Sequence, residues 1–136
     1  MLFFQLPRLP EAVLRANDFE RLANAMVSTS RPGAFTPEDL ATYRAAWARP
    51  GALTGMLNWY RALRLTLKLP RGTGRVAIPV RLMWGDLDQA LEPAMAEASI
   101  ARCDAGEVFH FPDATHWLPR EEPERTTALL LEFLRR

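Results

Sequence analysis

Residues 76–91 read VAIPVRLMWGDLDQAL, and residues 107–118 read EVFHFPDATHWL. In each stretch an apolar run ends in a polar loop that carries an acid or a histidine. The runs predict one strand over residues 76–84 and another over residues 107–111. Each predicted strand is followed by a helical pattern, at residues 92–101 and 123–134. Because strand, helix, strand, helix is the order of a parallel sheet, the predicted fold class is α/β.

The first half of the chain carries three helical patterns that Pro and Gly residues separate. The first covers residues 11–27, the second begins at a Thr36 N-cap with Pro37 in the first turn, and the third ends near residues 70–72. The predicted buried stripes are Val13, Ala16, Phe19, Leu22, Ala23 and Met26, then Leu40, Tyr43 and Trp47, then Leu53, Met56, Leu57, Tyr60, Leu63 and Leu67. The character of the sequence changes after Gly74, so we expect a helical part followed by an α/β part.

Composition sets the broad class of the protein. The 136 residues are 49% hydrophobic and 24% charged, which is typical of an ordinary globular protein. The single cysteine, Cys103, excludes an intramolecular disulfide and a cysteine-built metal site, and it favours a reducing compartment. No apolar run approaches the roughly 20 residues of a membrane span, and no signal-peptide core is present. We therefore expect a cytoplasmic protein without a membrane partner.

Charge is unevenly distributed along the chain. The net charge of +1 gives no general reason to expect nucleic acid as a partner. Residues 1–75 nevertheless carry a net charge of +6, and residues 76–136 carry −5. This asymmetry could form a basic face for a partner. We favour the interpretation that the two segments lie against each other or belong to different structural layers. A sheet of only two parallel strands is also a poor core for an α/β unit, which suggests that this chain is part of a larger fold.

The loop after the first predicted strand contains two acids, Asp86 and Asp88. Loops beyond the carboxyl ends of parallel strands carry ligand and catalytic groups, although aspartates also cap local turns. A calcium loop is rejected, because Ala90 and Leu91 stand where an oxygen ligand and a glycine are needed.

A histidine, His116, occupies the corresponding loop after the second predicted strand. Alone it would more often be structural, but an acid in the preceding loop could orient it. An acid and a histidine in that chain order form half of a nucleophile–histidine–acid triad. His110 lies inside the predicted strand and is interpreted as packing on the sheet face.

The third candidate stretch is residues 57–62. We interpret Trp59 as helix core. Tyr60 carries a hydroxyl that can donate a hydrogen bond to a substrate oxygen if it faces a cavity.

Four stretches resemble the carboxyl-terminal portion of epoxide-hydrolase-like α/β-hydrolases. Residues 3–7, FFQLP, are similar to the opening of the helical cap, and residues 58–61, NWYR, to the cap segment with a substrate-activating tyrosine. Residues 84–88, WGDLD, are similar to the acid-bearing loop, and residues 114–118, ATHWL, with residues 122–124, EPE, to the histidine loop and its helix. The order of the four stretches makes the resemblance specific.

The resemblance implies a partial α/β-hydrolase fold, with a helical cap over residues 1–74 and the last two strand–helix units over residues 75–136. It implies that Tyr60 donates to an epoxide oxygen, that His116 is the general base and that Asp88, rather than Asp86, orients it. Asp86 is then expected to cap the turn or face solvent. The implied substrate is a small molecule, an epoxide or a related compound, and no metal or organic cofactor is implied.

The family's nucleophile is missing from this sequence. No Gly-x-Asp/Ser-x-Gly elbow occurs in the 136 residues, and Met1 resembles an internal methionine. We therefore expect a fragment whose partner is the missing amino-terminal half, and an isolated chain that is inactive and marginally folded. The alternatives are a haloalkane or haloacid dehalogenase fragment, a serine esterase, or a truncated chain without activity.

Overall fold

The structure, a computed structural model, describes residues 2–66 and 74–135. It contains two compact units. The helical unit comprises residues 2–27 and 35–66, and the sheet unit comprises residues 28–34 and 74–135. The assignment of residues 1–74 to a cap and 75–136 to a hydrolase core stays a prediction. The sequence did not indicate that residues 28–34 would group with the sheet unit.

The helical unit consists of one short 3-10 helix and three α-helices. These are the 3-10 helix Leu2–Gln5, α1 Leu9–Ser28, α2 Pro37–Trp47 and α3 Ala52–Thr66. The end of the third helix predicted near residues 70–72, together with Leu67, lies outside the described residues.

The prediction of one regular helix over residues 11–27 was wrong in its middle. The backbone of α1 is non-helical from Ala16 to Phe19, and φ is 51° at Asn17, 52° at Asp18 and 60° at Phe19. Asn and Asp tolerate the left-handed region better than other non-glycine residues. The kink leaves the Phe19 ring 5% exposed and 5.9 Å from the Trp47 ring, and this burial offsets the backbone strain.

The predicted start of α2 is confirmed. The Thr36 hydroxyl accepts from the Asp39 amide at 3.2 Å, and the Asp39 carboxylate accepts from the Thr36 amide at 2.9 Å. These two bonds form a capping box, with Pro37 in the first turn. Of the predicted stripe only Trp47 is buried, because α2 is a surface helix on which Tyr43 stays 37% exposed.

The buried face of α3 is narrower than predicted. Leu53 and Leu57, one turn apart, are each 2% exposed. The assignment of Trp59 to the helix core was wrong, because its side chain is 82% exposed. Trp59 lies two residues past Leu57, which places it about 200° around the helix from the buried face. Three further members of the predicted stripe are about half exposed: Met56, Tyr60 and Leu63.

The sheet unit is built on two parallel strands, β1 Val80–Gly85 and β2 Gly106–Phe111. Val80 lies opposite Gly106 and Gly85 lies opposite Phe111. The predicted parallel pair is confirmed, but β1 begins later than residue 76. Val76 makes an isolated bridge with Cys103, and Pro79, which has no N–H to donate, directly precedes the ladder.

Three helices complete the sheet unit: α4 Ala94–Ile100, α5 Leu118–Glu121 and α6 Pro123–Leu134. The prediction for α6 is confirmed, and the single turn of α5 was not predicted. A core of Phe111, Ala114 and Leu118 lies at the end of β2, directly before and after the His116 loop. Within the described ranges, no helix has both the length and the apolar character that crossing a membrane requires.

Candidate functional site

Two loops at the carboxyl ends of β1 and β2 bring an acid and a histidine together. Asp88 follows β1 and His116 follows β2. The distance from Asp88 Oδ2 to His116 Nδ1 is 2.8 Å. Because the strands are parallel and adjacent, their following loops emerge at the same edge of the sheet. The structure thus brings together the two side chains that the sequence predicted to meet.

The two loops approach each other closely at Gly85, the last residue of β1. A Cβ atom there would lie 2.3 Å from the Thr115 carbonyl oxygen and 2.6 Å from that of Ala114. The Leu87 amide also donates to the Ala114 carbonyl at 2.9 Å. Only a residue without a side chain fits at this crossing, and the main chain itself therefore sets the spacing of the loops.

The Asp88 carboxylate is held by both of its oxygens. Oδ1 accepts from the amides of Ala90 at 2.7 Å and Leu91 at 3.0 Å, which leaves Oδ2 for His116. The side chain is 7% exposed. Burial alone would raise the pKa of Asp88, but the hydrogen bonds from His116 and from the two amides outweigh burial and lower it. Asp88 is therefore an anion at neutral pH.

The His116 ring is oriented by this anion. An ionised carboxylate only accepts, so the short contact requires that His116 Nδ1 carries its proton. In the neutral ring Nε2 then has a free lone pair, which is the arrangement of a general base. The His116 side chain is 46% exposed, and its ring lies edge-on to Trp117 at 5.7 Å. The arrangement can take a proton from a water molecule and stabilise the resulting imidazolium.

The neighbouring acid, Asp86, belongs to a different pair. Its Oδ1 lies 2.5 Å from His110 Nδ1, and His110 Nε2 lies 3.1 Å from a Glu97 oxygen on α4. The expectations that Asp86 caps the turn or faces solvent and that His110 merely packs on the sheet were therefore wrong. Hydrogen bonds from His110 to Asp86 and then Glu97 raise the pKa of His110. The position of His110, one residue before the end of β2 and beside the Asp86 loop, was the sequence signal that could have predicted this pair.

Tyr60 lies in the helical unit, on α3. Its ring packs against Phe4 at 4.9 Å, and its side chain lines a cavity of about 460 Å³ with Met56, Trp59 and Leu63. Arg61 fixes this part of α3, because its guanidinium binds Glu11 at 2.8 Å and the carbonyl of Phe4 at 3.0 Å. Asp88 and His116 lie in the sheet unit, so a site that also includes Tyr60 stays a prediction.

A smaller cavity of about 280 Å³ adjoins the acid–histidine pair within the sheet unit. Its polar lining residues are Asp88, Thr115, His116 and Thr126. Its apolar lining includes Leu82, Met83, Trp84, Leu91 and Leu118. Among residues 2–66 and 74–135, no three His, Cys, Asp or Glu side chains are grouped so that they could hold a metal ion.

Curated proteins with similar sequences include hydrolases. The chain is 41% identical over 133 residues to the AB hydrolase superfamily protein YfhM of Bacillus subtilis (strain 168), a match that covers 98% of this chain and 46% of that protein. It is 34% identical over 141 residues to Epoxide hydrolase 4 of Mus musculus, covering 98% of this chain and 38% of the relative. The chain thus spans less than half the length of these curated relatives.

The structure also aligns with only part of the solved structures that it resembles. The crystal structure of a Bacillus megaterium epoxide hydrolase in complex with an inhibitor aligns with a TM-score of 0.79 at 22% identity, over 100% of this chain and 50% of that one. At this identity the likeness shows the fold alone. No protein-family model matches the sequence. Over almost its whole length the chain is therefore similar to epoxide-hydrolase-like α/β-hydrolases and has a partial α/β-hydrolase fold, with a coverage consistent with their carboxyl-terminal portion.

Proposed function

We propose that this chain carries the general base and the orienting acid of a hydrolase that converts epoxides to vicinal diols. The observation that supports the proposal is the Asp88–His116 pair, 2.8 Å apart, at the carboxyl ends of two parallel strands. The relatives named epoxide hydrolases support the choice of substrate class. The proposed substrate is a small molecule, an epoxide or a related compound.

The first chemical step needs a nucleophile that this sequence does not contain. In the proposed route, a carboxylate supplied by a nucleophile-bearing partner half attacks an epoxide carbon. The carbon–oxygen bond of the ring breaks, an ester forms, and the departing oxygen takes a proton from the Tyr60 hydroxyl. A donor at that oxygen favours the transition state, because negative charge develops there as the ring opens.

The second step uses the pair that lies in the sheet unit. His116 Nε2 takes a proton from water, and the resulting hydroxide attacks the ester carbonyl. The ester bond breaks, and the diol oxygen takes the proton back from the imidazolium. The nucleophile is then left as a carboxylic acid, and its proton returns to the Tyr60 phenolate, which restores both groups. Asp88 holds the ring in the Nδ1–H form and stabilises its positive charge during the exchange.

The isolated chain is then inactive, because it holds a base and an acid without a nucleophile. A cytoplasmic location also stays a proposal, which rests on the composition and on the single cysteine. The dehalogenase alternative uses the same acid and histidine, so the substrate and the role of Tyr60 distinguish it from epoxide hydrolysis.

A chimera tests the proposal. This chain replaces the matching 46% of the Bacillus subtilis relative, whose remaining part supplies the rest of the fold. The purified chimera is assayed with a terminal aryl epoxide, a haloalkane and a p-nitrophenyl ester, beside the isolated chain and a His116→Ala chimera. Diol formation that His116→Ala abolishes supports the proposal. Halide release without diol formation would favour a dehalogenase, and turnover that is unaffected by His116→Ala would refute the role of the pair.

A further inference from the structure

We propose that Glu121 is a positioning residue for His116, acting through Thr115. This inference rests on the proposed function in one respect, the role of His116 as the base. The residues involved are Glu121 of α5, Arg31 of the segment 28–34, and Thr115 in the loop.

The Glu121 carboxylate binds the residue that directly precedes His116. Oε2 accepts from the Thr115 amide at 2.7 Å, and Oε1 accepts from the Thr115 hydroxyl at 2.7 Å. The Thr115 hydroxyl in turn accepts from the Trp117 amide at 3.2 Å. One carboxylate therefore holds the main chain on both sides of His116, directly at Thr115 and through its hydroxyl at Trp117.

Glu121 is an unusual residue for a short surface helix, because its side chain is 0% exposed. Burial would raise its pKa, but the hydrogen bonds from Thr115 and from the Arg31 amide, with the Arg31 charge, outweigh burial and lower it. Arg31 compensates the buried charge. Its amide donates to Glu121 Oε1 at 2.7 Å, and its guanidinium binds the Glu121 carbonyl and the Glu122 carboxylate.

The segment that supplies Arg31 is fixed to the same loop at two further points. The Trp117 indole N–H donates to the Thr29 hydroxyl at 2.9 Å, and the Arg120 guanidinium donates to the Ala34 carbonyl at 2.9 Å. Residues 28–34 thus lie along the histidine loop and its short helix. This explains why they group with the sheet unit although their neighbours in sequence are helical.

His116 depends on this support because its own ring has little packing. The side chain is 46% exposed. Its position is therefore set by the main chain, which the acid loop holds at Ala114 and Glu121 holds at Thr115. Loss of the Glu121 contacts removes the attachment at Thr115. We expect the hydrogen bond from His116 Nδ1–H to Asp88 to weaken as a result, while Asp88 keeps its own amide donors.

The test is an NMR measurement on the complete 136-residue chain. Nitrogen-15 shifts of the His116 ring report the ratio of the Nδ1–H to the Nε2–H tautomer in wild type, Glu121→Gln and Glu132→Gln. A glutamine at 121 turns an NH₂ donor toward an N–H or O–H donor in either orientation. Glu132 is the control, because it also pairs with an arginine, the buried Arg81, but lies away from the loop.

We expect Glu121→Gln to lower the tautomer ratio about five-fold, the change that corresponds to the loss of one hydrogen bond, and Glu132→Gln to leave it unchanged. Glu121→Asp should recover part of the ratio. A folded Glu121→Gln chain with reduced melting temperature and an unchanged ratio would overturn the proposal and make Glu121 merely structural. If Glu121→Gln does not fold, Thr115→Val, which removes the hydroxyl and keeps the volume, decides by the same measurement.

This readout involves no turnover, so it separates the inference from the proposed function. An unchanged ratio refutes the positioning role even if the chimera hydrolyses epoxides. A lowered ratio supports the role even if the chimera acts on another substrate.

Discussion

Asp88 and His116 are separated by 28 residues in the sequence and by 2.8 Å between Oδ2 and Nδ1. Main-chain hydrogen bonds hold the two loops together, since the Asp86 amide donates to the Phe111 carbonyl and the Leu87 amide donates to the Ala114 carbonyl. Pairing of β1 with β2 therefore carries directly into pairing of the loops. The geometry of the acid–histidine pair is consequently part of the fold of the sheet unit.

Replacement of Gly85 with alanine should destabilise the protein and separate the loops. The added Cβ meets two carbonyl oxygens of the main chain, at 2.3 and 2.6 Å, and neither can rotate away. We expect the free energy of unfolding to fall by about 1–3 kcal/mol, the range for overpacking, as measured by urea denaturation.

Gly55→Ala is the matched control for that substitution. Gly55 lies inside α3, and a Cβ atom added there would point into open space. Alanine should stabilise this helix by up to about 1 kcal/mol. Equal effects of the two substitutions would show that the crossing at Gly85 is not tight.

The two acids of the β1 loop should differ in their effect on catalysis. In the active chimera, Asp88→Asn removes the anion that orients His116, and we expect the turnover number to fall by about 10²- to 10⁴-fold. Asp86→Asn changes only the contact with His110 and should have a much smaller effect. The reverse order of losses, measured with the epoxide substrate, would move the acid role to Asp86.

The His110 cluster should make stability depend on pH. Because the folded-state pKa of His110 is raised, its contribution is complete below the unfolded value of about 6.5 and is lost as pH rises through the higher folded value. The free-energy difference between wild type and His110→Gln should thus be larger at about pH 5.5 than at about pH 8.5. The change in this free-energy difference with pH should be small, because His110, Asp86 and Glu97 are partly exposed to solvent.

Chemical denaturation at the two pH values provides the measurement. A difference that grows with pH would mean that protonated His110 is not what the two carboxylates stabilise.

Tyr60→Phe tests the proposed donor to the epoxide oxygen. The substitution keeps the ring that packs on Phe4 and removes only the hydroxyl, so the melting temperature should change little. In the chimera we expect ring opening to slow by about ten- to a thousand-fold in single-turnover measurements. An unchanged rate would leave Tyr60 with a packing role only and would favour the dehalogenase alternative.

The sequence predicted the features that depend on local periodicity and on chain order. Apolar runs ending at Trp84 and Phe111 indicated two parallel strands, and parallel strands place their following loops together. That was enough to predict the meeting of Asp88 and His116. The start of α2 was predictable because Thr36, Pro37 and Asp39 form a local capping signal.

Other features depend on contacts that no local pattern records. The exposure of Trp59 follows from how narrow a face of α3 is covered, and the burial of Glu121 follows from the return of Arg31 to the histidine loop, 90 residues away in sequence. The left-handed turn at Asn17–Phe19 is maintained by the burial of one ring. Such features appear only when the packed structure is available.

Mass spectrometry of the chimera with His116→Gln shows whether His116 activates water against a covalent ester. After brief exposure to epoxide, we expect this variant to accumulate a stable adduct equal to the mass of one substrate molecule, while the unsubstituted chimera shows diol and little adduct. A His116→Gln chimera that forms diol at the unsubstituted rate, with no adduct, would show that His116 is not the base that activates water.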